Sequence, residues 1–164
     1  MKFLILSFFV LGFLSCNQQN NSKELHTRID SLEKKLANSY QPGLGEFMSS
    51  IQVHHAKLWF AGENENWPLA DFELHEIAEA LDDVKNFNSD RPEIKSLTMI
   101  DAPLDSISKS VQQKNVSTFK SNFVLLTTTC NNCHRDTDHG FNVVKIPDTP
   151  PFSNQDFKPH SLLI

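Results

Sequence analysis

One run, Cys130-Asn131-Asn132-Cys133-His134, constrains this chain more than any other stretch. Two thiols separated by two residues, with an imidazole directly after the second, have the spacing for covalent attachment of a c-type haem. Both thiols must reach vinyl groups on one porphyrin edge while the imidazole reaches the iron from one face. Other readings of Cys-x-x-Cys fit less well. A thioredoxin-like redox pair lacks a surrounding βαβ pattern, and a zinc site lacks a second cysteine pair. A small disulfide would leave His134 there by coincidence.

The N-terminus decides the compartment. Met1-Lys2 supplies a positive charge, and Phe3 to Leu14 is apolar apart from Ser7 and Gly12. A very polar run, Asn17-Gln18-Gln19-Asn20-Asn21-Ser22, follows. This reads as a secretory signal over residues 1–15. It is too short for a mature membrane span, which needs about 20 apolar residues. Cys16, directly after Ser15, resembles the cleavage site of a bacterial lipoprotein. That resemblance implies acylation at Cys16 and a lipid anchor on the periplasmic face of a bacterial membrane. The alternative is ordinary signal cleavage, with Cys16 lost or left as a lone thiol. With Cys16 acylated, each of the three cysteines has an assigned fate.

Composition sets further bounds. With 20 acidic against 15 basic residues the formal net charge is −5, which argues against a sequence-independent grip on nucleic acid. Five Gly and one Tyr argue against a turn-dense β fold. Residues 16–43 read as a tether. Asn17–Ser22 is expected to be unstructured, and Leu25, Ile29, Leu32 and Leu36 form a short helical stripe over Lys23–Tyr40. That stripe suits either a coiled-coil stalk or a helix lying on the main domain. Residues 44–164 form the main domain.

Apolar periodicity predicts helices over Leu44–Ala61, stopped by Gly62, and over Trp67–Phe87, with Pro68 in the first turn. The second helix carries Leu69, Phe72, Ile77, Ala80, Leu81 and Val84 on one side. Glu73, Glu76, Glu79, Asp82 and Asp83 lie on the other. A weaker helical piece over Glu93–Ile100 is interrupted at Asp101-Ala102-Pro103. A short helix around Leu104, Ile107 and Val111 follows, with Asp101 as candidate N-cap. Val116–His134 forms the last helix, and Thr127-Thr128-Thr129 lowers its propensity near the cysteines. Beyond Gly140, prolines at 147, 150, 151 and 159 impose extended backbone. Phe141, Val143, Val144, Ile146, Phe152 and Phe157 make it an ordered strap. The fold class expected is all-α, a four-helix bundle with an extended C-terminal strap.

Over roughly residues 44–140 the chain resembles bacterial class II c-type cytochromes, the cytochrome c prime group and its low-spin relatives, in an exported lipoprotein form. Those are four-helix bundles with Cys-x-x-Cys-His near the end of the last helix. The resemblance implies a covalent haem c at Cys130, Cys133 and His134. Low-spin members take an early first-helix Met as sixth ligand, which implies Met48 here. Lys57–Gly62, Asn66–Asp71 and Asn154–Phe157 are also similar to a group of small exported bacterial cytochromes without assigned roles.

Bundle topology points the same way, because the start of helix one lies beside the end of helix four. His55, seven residues beyond Met48 and about 10 Å further along the axis, is the alternative distal ligand. His54 is expected at the surface, and His26, His139 and His160 in solvent. His55 and His75 flank the 62–66 turn symmetrically, which would set them level on adjacent helices. The function expected is electron transfer in the periplasm with protein redox partners, and no acid/base pair or nucleophile constellation near the cysteines points to an enzyme. The alternatives are a five-coordinate haem binding NO or CO, or a haem-bearing accessory subunit of a membrane complex.

Overall fold

In the computed structural model the described residues are 15–37 and 42–160, with side chains described from residue 21. The apolar stretch of the expected export signal and the Cys16 side chain lie outside them. Among the described residues the chain is all-helical, with no strand. No helix there is long and apolar enough to cross a membrane. The chain divides into two units, Met1–Gln41 and Pro42–Ile164.

The described residues of the first unit form one helix, α1, Ser15–Ala37. The polar residues Asn17–Ser22, expected to be unstructured, are helical instead: no Gly or Pro interrupts them, and they extend the amphipathic segment by more than a turn. On the apolar stripe of α1, Leu25, Ile29 and Leu32 are 61%, 43% and 63% exposed.

The second unit contains α2 (Leu44–Glu63), α3 (Trp67–Phe87), a 3-10 helix (Pro92–Ile100), α4 (Asp101–Gln112) and α5 (Val116–Asp136). Asn66 caps α3 by accepting from the Leu69 amide at 3.4 Å, and Asn115 caps α5 by accepting from Thr118 at 3.1 Å. Gly62 does not stop α2. It lies in the last turn, where a Cβ would come within 2.2 Å of the Phe119 ring. The residue is therefore small so that α2 and the start of α5 can approach closely. Pro103 does not interrupt the chain either. The 3-10 helix runs straight into α4, and Pro103 occupies the first turn, where its missing N–H costs nothing. Asp101 is the first residue of α4, and the Ile100 cap position makes no side-chain bond.

Helix α2 packs on α3 and α5, and α4 packs on α3 and α5. The 3-10 helix contacts α3, α4 and α5. An aromatic column runs through the core, from Trp67 against Phe119 to Trp59 against Phe123, with ring centroids 6.1 Å and 4.9 Å apart. On α3 the buried stripe is Ala70, Glu73, Leu74, Ile77, Leu81 and Val84. Phe72, expected inside, is 52% exposed, and Glu73, expected on the solvated acidic side, is fully buried. Beyond Asp136 the described chain has no regular secondary structure. It is nevertheless anchored: Phe157 is 5% exposed and packs on Phe60, and the Lys158 carbonyl accepts from Asn66 Nδ2 at 3.3 Å.

Candidate functional site

The last three turns of α5 carry Leu126, Cys130, Cys133 and His134. Their offsets of four, seven and eight residues put them on one face of a helix. The threonine run does not fray the helix. Thr127 and Thr129 donate to the carbonyls of Phe123 and Leu125, each at 2.9 Å, and the helix continues to Asp136. Both hydroxyls are satisfied inside the turn that a threonine would otherwise weaken. This face lines a cavity of about 340 Å³. Met48, Ile51, Gln52 and His55 of α2 form a second wall, and Ile77, Leu81, Leu97 and Ile100 close it with apolar side chains.

The C-terminal segment completes the site. The Asn131 side chain pairs with the backbone of Val144 in both directions: Nδ2 donates to the Val144 carbonyl and Oδ1 accepts from its amide, each at 2.8 Å. Asn131 thus mimics a neighbouring strand residue. Next to this clasp, His134 Nδ1 lies 2.6 Å from the Asn142 carbonyl oxygen. A carbonyl only accepts, so Nδ1 carries a proton in this bond, which leaves Nε2 as the ring nitrogen that can offer a lone pair. The ring orientation and tautomer are those of an imidazole prepared to ligate a metal through Nε2.

Helices α2 and α5 run antiparallel in a register that two contacts fix. Gly62 abuts Phe119, and His55 Nε2 lies 2.8 Å from Thr127 Oγ1. Seven residues along α2 correspond to about eight along α5, so the same register puts Met48 level with His134. The two α2 candidates differ accordingly. Thr127 Oγ1 spends its proton on Phe123, so His55 Nε2–H is the donor in its bond. The His55 ring lies 4.4 Å from that of Phe123 and is 4% exposed. Burial holds its pKa down at about 4, so it is neutral at ordinary pH. His55 belongs to the floor of the cavity, two turns of α5 away from His134.

Both thiols are free and half-buried. Burial, with the neighbouring Cys133 adding, pushes the Cys130 thiol up to about 11. Burial also raises Cys133, assisted by Asp136 and Glu93. A redox-active pair needs a stabilised thiolate, which is the opposite environment. Two neutral thiols and an imidazole with a free Nε2 on one face, opposite a thioether and beside apolar walls, suit a large planar apolar group attached at both sulfurs.

The remaining histidines sort by environment. His75 is exposed and bonds the Asp71 carbonyl at 2.8 Å, so it does not share a site with His55. No group of three metal-ligating side chains occurs among the described residues. His26 and His160 are exposed, whereas His139 is half-buried and bonds the Thr137 carbonyl at 2.6 Å. His54 is not a surface residue. Its Nδ1 donates to Oε2 of the buried Glu73 at 2.7 Å, and Lys57 Nζ lies 3.3 Å from Oε1. Sequence reasoning missed this triad, although the spacing of Glu73 from Ala70 and Ile77 already put it on the buried stripe. It also missed the Asn131 clasp, whose partner lies beyond the helix. Comparison with known proteins found no matching family, no matching curated protein and no matching solved structure.

Proposed function

We propose that this chain is a monohaem c-type cytochrome, a four-helix bundle closed by a C-terminal strap, that transfers electrons on the periplasmic face of a bacterial membrane. The haem c would be bound through thioethers at Cys130 and Cys133, with His134 as the proximal ligand and Met48 as the sixth. One observation carries this reading: a single apolar cavity is lined by both thiols and the Nε2-competent imidazole from α5 and by Met48 from α2. When bound, the haem supplies one-electron chemistry by cycling its iron between two oxidation states.

The chain's own residues do the rest. The Asn142 carbonyl keeps the proton on His134 Nδ1 and fixes the ring so that Nε2 is the nitrogen presented for ligation. The apolar walls lower the local dielectric and exclude water, which with a thioether ligand favours the reduced form. With Met48 as the sixth ligand, no iron position would stay open to an exogenous gas. His55, neutral and bonded to Thr127, adds no charge to the cavity.

An export signal over residues 1–15 and acylation at Cys16 rest on the sequence pattern. Cys16→Ser is expected to move the protein from the membrane to the soluble periplasmic fraction.

A haem peroxidase stain after denaturing electrophoresis tests the central reading: protein matured in a host with haem-attachment machinery should carry a stained band, and Cys130→Ser with Cys133→Ser should lose it. The reduced spectrum with and without CO tests the sixth ligand. Wild-type protein should not respond to CO. Met48→Ala should bind it and lose the far-red sulfur-to-iron band of the ferric form, while His55→Ala should do neither. If wild-type protein binds CO readily, a five-coordinate gas-binding protein replaces the electron carrier.

A further inference from the structure

Helix α1 leaves an apolar stripe in solvent, and its pattern says what covers it. Leu25, Ile29 and Leu32 are spaced four and three residues apart and are 61%, 43% and 63% exposed. In heptad positions Leu25 and Leu32 fall at d and Ile29 at a. A β-branched residue at a with Leu at d favours two strands. The flanking charges decide orientation. Arg28 falls at g and Glu33 at e of the following heptad. In a parallel pair g of one helix meets the next e of the other, so Arg28 of each copy faces Glu33 of its partner and two opposite-charge contacts form. In an antiparallel pair the g positions face each other, and Arg28 would meet Lys35 with like charge. The apolar seam covers only the C-terminal part of α1, since the a position at Ser22 is polar.

From this geometry we infer that α1 is a self-association element, a parallel two-stranded coiled coil between two copies of this chain. The short seam makes it a weak, exchanging pair, and the charges make it selective for like orientation. The parallel arrangement sets the N-terminal ends of the two α1 helices together. This inference does not depend on the haem reading.

Disulfide capture in the full chain, under mild oxidation and non-reducing electrophoresis, tests it, with the wild-type chain and its native cysteines as baseline. Leu25→Cys and Leu32→Cys should each give a homodimer several-fold above that baseline, and Ser31→Cys, on the outer face, should not. Adding Arg28→Glu to Leu25→Cys should cut the yield several-fold. Adding Glu33→Arg alone should do the same, and both together should restore it. All these positions are exposed, so the fold of the 42–164 unit is not at stake. Equal capture at 25 and 31 would mean random collision, and a yield blind to charge reversal would remove the basis for the register. Capture between Ile29→Cys and Leu32→Cys chains, without capture at 25, would mean an antiparallel pair. A product joining position 25 to a different protein would mean another occupant. Any of these outcomes overturns the inference.

Discussion

His55 shows how one buried side chain can set a pH limit on the domain. It is neutral in the folded state, with a pKa of about 4, and titrates near its ordinary value once unfolded. Between those two values the unfolded chain binds a proton that the folded chain refuses. Stability therefore falls as pH drops from about 6.5 to about 4, by roughly 3 kcal/mol over the window. Chemical denaturation of wild-type protein across this range should show the slope. His55→Gln keeps a donor for Thr127 without titrating and should flatten it. The catalogue of side chains was only partly legible beforehand. The cysteines and His134 stood out as candidates because their spacing is local, whereas Met48 entered only through the expected bundle topology. Glu73 was misassigned because its charge outweighed its position on α3. Its stabilising partners, His54 and Lys57, come from another helix, and no local pattern reports them.

At the level of elements, helix spans were readable and their junctions less so. Gly62 and Pro103 look like breaks because both residue types usually are, yet each has a role that only packing reveals. Alanine in place of glycine inside a helix normally stabilises by up to about 1 kcal/mol. At Gly62 the sign should reverse. The added Cβ meets the fully buried Phe119 ring, and overpacking of this kind costs about 1–3 kcal/mol. Thermal unfolding of Gly62→Ala gives the sign directly. The Asn131 clasp makes a graded prediction. Asn131→Ala loses both bonds to Val144 and should cost about 1–2 kcal/mol. Asn131→Asp retains an acceptor for the Val144 amide but sets its other carboxylate oxygen against the Val144 carbonyl, acceptor facing acceptor, so it should cost at least as much as alanine. Hydrogen exchange at Val144 should quicken in both variants.

Across the whole 42–164 unit, the C-terminal segment acts as a tie between distant parts of the structure. It is held at Asn131 and His134 on one side and at Phe60 and Asn66 on the other. Phe157→Ala removes a buried ring and should cost about 3 kcal/mol or more. If the tie is mechanical, the same variant should also quicken exchange at Asn142 and Val144, far from the substitution. These two attachments differ in the loop that each must close. Asn131 and Val144 are 13 residues apart, whereas Asn66 and Lys158 are 92 apart. Closing the short loop carries the smaller entropy cost, so the clasp can form as soon as α5 exists, while the far anchor waits for nearly the entire domain. The order of assembly is thereby written into the connectivity. His134 acquires its proton orientation early, from its own neighbourhood, and the segment around Phe157 and Lys158 locks down only after α2 and α3 have come together.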